Sequence, residues 1–168
     1  MVDNLIPCGA HTLSWSLGRP LVMGIVNVTP DSFSGDGLGK QIDAAFNQAL
    51  AMMAAGADLL DIGAESTRPG AAAVAADEEL NRLAPLLERL LAAGIPTSVD
   101  TYKAVVMAEA IKLGAGLIND ISALGDPAAA AMLAPHTNVA VCLMHMQGEP
   151  HNMQQQPTYA EVVSEVRD

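Results

Sequence analysis

Aromatic residues are scarce. One Trp, two Tyr and two Phe amount to 3% of 168 residues, so Ala, Leu, Val, Ile and Met must build the core. Such a core suits tightly packed helices on a parallel sheet better than a β-sandwich. Cysteine is almost absent: Cys8 and Cys142 make no disulfide framework, and a reduced cytoplasmic setting fits them. Basic residues are few, 8 against 19 acidic ones, and the net charge of −11 argues against nonspecific binding of nucleic acid or anionic membranes. No apolar run is long enough to span a membrane. The N-terminal residues show no basic stretch followed by an apolar one, so no signal peptide is expected. The G-x-G-x-x-G fingerprint and the Walker loop are both missing after the first predicted strand. A hydrophobic fraction of 51% excludes disorder, and the length suffices for one domain with a sizeable core.

What is present reads as alternating strands and helices. Residues 1–20 are irregular, punctuated by Pro7, Gly9, Gly18 and Pro20. Within them, 11–16 suggest a small hairpin strand closing one end of a barrel, with Trp15 as a packing residue. The apolar run 21–26 reads as a buried strand that breaks at Asn27, followed by a long loop rich in Gly, Ser, Pro and Asp. A helix over 40–55 keeps Ile42, Phe46, Ala49, Leu50 and Met53 at helical spacing, and Gly56 caps it. A strand at 58–63 ends on Asp61, and a loop over 63–73 follows.

The next helix, 77–93, opens with Asp77, Glu78 and Glu79, where the helix dipole favours negative charge. Leu80, Leu83, Leu87 and Leu91 form its stripe, and Pro85 should bend it. A strand at 96–99 ends on Asp100, and Thr101 caps a helix over 103–113. A strand at 116–118 ends on Asn119; a short helix at 127–133 leads to a strand at 138–143. A polar loop and a last helix from near residue 158 complete the chain.

This alternation predicts a parallel sheet with right-handed crossovers. Polar residues recur where strands end, at Asn27, Asp61, Asp100 and Asn119. Ligands bind at that edge in both main kinds of α/β protein. Five strands suit an open doubly wound sheet, or the first five βα units of a (β/α)8 TIM-type barrel. Periodicity alone leaves both open.

Each strand-end residue has a bland and a chemical reading. Asp100 either caps the next helix or accepts hydrogen bonds from a ligand. Asn119 is a turn residue or a donor and acceptor for a ring with mixed edges. Asn27 is a strand-end cap or a hard oxygen ligand for Mg²⁺. Arg68 is a solvated loop charge or a forked phosphate ligand. Asp61 reads as structural. Lys103 reads as solvated, and His145 and His151 as loop residues without metal spacing.

Five motifs occur in order along the chain. They are N-V-T-P-D-S-F-S after the first long strand, D-I-G-A-E-S-T-R-P-G at 61–70, S-V-D-T-Y-K at 98–103, L-I-N-D-I-S at 117–122 and V-C-L-M-H-M-Q-G-E-P at 141–150. Together they resemble the dihydropteroate synthase family over residues 22 to about 157. The resemblance implies a (β/α)8 barrel, here a single incomplete pterin-binding domain over 1–168, truncated after its fifth strand.

The implied reaction condenses a dihydropterin methyl pyrophosphate with p-aminobenzoate in folate synthesis, with Mg²⁺ as cofactor. Sulfonamides would be its inhibitors, and a homodimer its full-length state. By the same resemblance Asp100 and Asn27 are catalytic and Asn27 also faces the metal. Asn119 binds the pterin, Met144 packs against it, and Thr67 and Arg68 serve the anionic end. Phe33 and Pro69 would form the p-aminobenzoate pocket. Two departures stand out: Gly35 precedes Asp36 where the family places an acid, and Ala64 replaces a glycine or proline. The family's later motifs, with a further aspartate, a lysine, and an arginine with histidine, have no counterpart. Two other readings are a related pterin-binding methyltransferase and a noncatalytic fragment that associates with itself.

Overall fold

The computed structural model describes residues 4–15, 18–29, 37–66, 73–149 and 152–167. Strands β1 (Leu5–Cys8) and β2 (His11–Ser14) pair antiparallel as a hairpin. Five strands follow: β3 (Met23–Asn27), β4 (Leu59–Gly63), β5 (Thr97–Asp100), β6 (Leu117–Asp120) and β7 (Ala140–Leu143). Between them run α1 (Gly37–Ala54), α2 (Ala76–Ala92), α3 (Ala104–Leu113) and α4 (Ala129–Leu133), and α5 (Val162–Arg167) comes last.

Strand order decides between the two architectures. All four pairings in the large sheet are parallel, in the order β3-β4-β5-β6-β7. A doubly wound sheet reverses direction at a switch point, and this one does not. Right-handed crossovers that always step the same way place every helix on one face. The result is the wall of a (β/α) barrel, with an outer face under helices and an inner face.

Alternation along the strands sorts side chains between those faces. Val26, Leu60, Ile62, Val99 and Ile118 pack outward against Ala45, Ala49, Leu83, Leu86, Leu87, Leu90, Val106 and Met107 of the helices. Each fully buried Leu or Ile there contributes about 1.5–3 kcal/mol. The small Ala45 and Ala49 lie against the sheet in α1, while Leu50, expected in the stripe, is 41% exposed. Helix α2 runs unbroken through Pro85.

The hairpin seals the N-terminal end of the inner face. Cys8 and Leu13 cluster with Leu59 and Leu117, and Ile6, Leu21 and Ala140 pack around them. Gly116 permits this contact, because a Cβ there would lie 2.2 Å from the Cys8 carbonyl carbon. Trp15 departs from its expected packing role and is 42% exposed. Strands β3 and β7 each pair with a single neighbour among the described residues. Accordingly Met23, Ile25, Val141 and Leu143 are exposed. No described helix is long and apolar enough to cross a membrane.

Candidate functional site

Sheet register assembles a polar row at the C-terminal strand ends. Asn27 pairs with Gly63, Gly63 with Asp100, Asp100 with Asn119, and Asn119 with Cys142. Register partners in a parallel sheet point to the same face, so one row carries Asn27, Asp100 and Asn119 on the inner side. At about 4.8 Å per strand, Asn27 to Asn119 spans roughly 14 Å. Gly63 keeps the row open between two functional groups. A Cβ there would lie 2.8 Å from Asn27 Oδ1 and 3.6 Å from Asp100 Oδ2. One rung below lie Ile25, Asp61, Ser98, Leu117 and Ala140.

Charge in this row is all of one sign. Burial pushes the Asp100 carboxyl up to about 7, and the carboxylates of Asp61, Glu79, Asp120 and Glu65 add to the rise. Near neutral pH Asp100 therefore takes up or releases a proton easily, and it would favour a cationic or proton-donating ligand. Among the described residues its Oδ1 has no hydrogen-bond partner, and neither do Asp61 Oδ1 and Ser98 Oγ, all buried atoms of the inner face. Asn119 Nδ2 donates to Asp61 Oδ2 at 2.9 Å. Asp120 points the other way, buried on the helix side, and is fully engaged. It accepts from Ser122 N, Ser122 Oγ and Leu124 N, each at 2.7 Å, and so shapes the turn after β6.

Beside the row is an ion-pair cluster that the sequence reading missed. Lys103, expected to be solvated, is 17% exposed and bridges Glu65 and Glu79. Burial pulls the Lys103 pKa down, but hydrogen bonds and attraction from the two carboxylates more than restore it, and the net shift is upward. Glu65 Oε1 also accepts from Tyr102 Oη at 3.0 Å and Val74 N at 3.1 Å. Glu79 is fully buried. The available signal was its place in the stripe of Glu79, Leu83, Leu86, Leu87 and Leu90. An acid in a buried stripe requires a cation. The cap of α3 also differs from expectation. Thr101 Oγ1 accepts from Lys103 N at 3.3 Å, and Asp126 Oδ2 accepts the Ala104 N–H at 2.9 Å.

Among the sequence candidates, the row brings together Asn27, Asp100 and Asn119. Met144 is half-buried just beyond β7, its N–H donating to Asp120 O at 3.0 Å. Phe33, Thr67, Arg68 and Pro69 lie outside the described residues, as do Asp31, Asp36 and His151. His145 is hydrogen-bonded to Tyr159 Oη at 2.9 Å.

A sequence profile for a family described as "pterin binding enzyme" matches residues 23–168. The dihydropteroate synthase of Escherichia coli K12 is 48% identical over 158 residues, covering 94% of this chain and 56% of its own length. Two solved structures superpose closely. Burkholderia cenocepacia dihydropteroate synthase, complexed with 7,8-dihydropteroate, gives a TM-score of 0.82 at 46% identity, covering 100% of this chain and 56% of that one. Xanthomonas albilineans dihydropteroate synthase, with 4-aminobenzoic acid, gives 0.82 at 48% identity, covering 98% and 57%. The chain thus spans about half the length of the curated relatives it matches.

Proposed function

The chain belongs to the pterin-binding enzyme family, and from that premise we propose that it forms part of a dihydropteroate synthase. The reaction is substitution at the methylene of a dihydropterin pyrophosphate: the p-aminobenzoate amine forms the new C–N bond, pyrophosphate departs, and the amine loses a proton. The observation that carries the reading is the inner-face row of Asn27, Asp100 and Asn119 around the gap at Gly63. We assign this row to the pterin and the start of its pyrophosphate. Asp100 holds ring N–H groups and opposes the positive charge that develops as the leaving group separates. Asn119 reads a mixed donor and acceptor edge, and Met144 packs on the ring.

The p-aminobenzoate end belongs, on this proposal, to Phe33 and Pro69, with Thr67 and Arg68 at the anionic groups. Magnesium fits the residues present. Asn27 is an exposed carboxamide at the strand end, and Gly63 leaves its oxygen room. A cation that keeps several waters needs few protein ligands. Bound there, it would neutralise charge on pyrophosphate. The chain would act as a single incomplete domain in the cytoplasm, within a homodimer in its full-length form. The relatives named above are synthases, so a methyltransferase role is set aside. A self-associating fragment remains the second reading, favoured by exposed Met23, Ile25, Val141 and Leu143 at the sheet edges.

The test joins this segment to the later strands of a complete synthase and assays dihydropteroate formation from both substrates with magnesium. Turnover that needs both substrates supports the reading. A folded, complete chain with no turnover and no pterin binding overturns it.

A further inference from the structure

The carboxylate of Asp61 is the least explained feature of the inner face. It is 3% exposed and neither caps a helix nor forms an ion pair among the described residues. Its Oδ1 has no hydrogen-bond partner among the described residues, and its Oδ2 accepts from Asn119 Nδ2 at 2.9 Å. Asp120, equally buried, satisfies both of its oxygens with local donors and so explains itself as a turn builder. Of its rung mates, Ile25, Leu117 and Ala140 are apolar and Ser98 is small, so a purely structural position there would be served by an apolar or small side chain.

The two ends of an Asn amide are nearly the same size, so the group can turn over at little steric cost. A carboxylate can only accept. Asn119 accordingly turns its nitrogen toward Asp61. That leaves Oδ1 and one N–H in a fixed sense beside Asp100. We propose that Asp61 is a positioning residue for ring recognition: by holding Asn119 Nδ2, it fixes which polar atom of that amide meets each atom of the ring edge. This rests on the assignment of the row to a pterin. The class of ligand favoured is an amino-pyrimidinone ring, whose edge runs acceptor, donor, donor, acceptor from O4 to N1. A 2-oxo ring, with an acceptor in place of the amino donor, is rejected, because a mismatch leaves buried polar atoms unpaired.

The experiment uses this segment carried in a complete synthase chain. Calorimetry measures 6-hydroxymethylpterin against its 2-oxo counterpart, 6-hydroxymethyllumazine, in the parent and in Asp61→Asn. An Asn at 61 both donates and accepts, so it no longer dictates the sense of Asn119. The parent is expected to prefer the pterin about 100-fold. The preference should fall at least tenfold in Asp61→Asn, with the KM for p-aminobenzoate unchanged. In an Asn119→Ala background the same substitution should change the preference no further, because its effect passes through Asn119. An unchanged preference in folded Asp61→Asn, or additive losses in the double variant, overturns the proposal. If Asp61→Asn does not fold, the side-chain amide of Asn119 is read by NMR in the parent: slow proton exchange supports the proposal and fast exchange overturns it. A parent that binds no pterin overturns both this and the reading beneath it.

Discussion

Replacing Asp100 by Asn should make the protein more stable and nearly inactive. The Asp100 carboxyl ionises near 3.8 in an unfolded chain and near about 7 in the fold, because burial and surrounding carboxylates disfavour its charge. Between those values the folded state binds more protons than the unfolded one. The stability contributed by the protonated carboxyl is therefore fully present below about pH 4 and is lost as pH rises through about 7. At 1.36 kcal/mol per unit, the full shift corresponds to about 4 kcal/mol. Partial solvent contact and relaxation bring the expected effect to about 2 kcal/mol.

Asn is neutral at every pH and escapes this cost. Urea melts of parent and Asp100→Asn in the complete chain should coincide at pH 4. At pH 8 the variant should be more stable by about 2 kcal/mol, or roughly 4–8 °C in Tm. Turnover should drop by orders of magnitude, since the charge facing the reacting centre is gone. A variant less stable than its parent at pH 8, or turnover within a few-fold of it, would refute the reasoning.

Three further outcomes are expected. Sulfonamides should compete with p-aminobenzoate in the complete chain, and changes at Phe33, Thr67 or Pro69 should alter their affinity more than that of the pterin; equal losses on titration would mean there is no separate pocket. The 168-residue chain by itself should associate in solution and form no dihydropteroate, because β3 and β7 are open edges and the inner face lacks its remaining walls; an active monomer by light scattering and assay would refute this. Lys103→Met should cost about 3 kcal/mol in a denaturant melt by leaving Glu79 buried without its cation. Adding Glu79→Leu should recover much of the loss, and no recovery would show that Lys103 acts elsewhere.

The strands were legible as short apolar runs, and three of them, β3, β5 and β6, close on Asn or Asp; β4 runs past Asp61 to Gly63, and β7 ends on Leu143. Register then needed only to line up Asn27, Gly63, Asp100 and Asn119. The choice of barrel wall over doubly wound sheet was not legible from periodicity, since both place helices between parallel strands; pairing order settled it. The Lys103 cluster was hidden because its members lie far apart in the chain. Glu79 also fits the acidic first turn of α2 as well as it fits a buried pair. Leu50 misled because helical spacing alone does not choose between a leucine and the alanines that let α1 approach the sheet. The link from Asn119 to Asp61 joins neighbouring rungs of nonadjacent strands, which no local pattern encodes.

The most direct test of the account is a crystal structure of the complete chain soaked with 6-hydroxymethyl-7,8-dihydropterin pyrophosphate. The expected result places the bicyclic ring against Asp100 and Asn119, with the pyrophosphate running past Gly63 toward Asn27. A ring bound elsewhere, with Asp100 and Asn119 making no contact to it, would contradict the account.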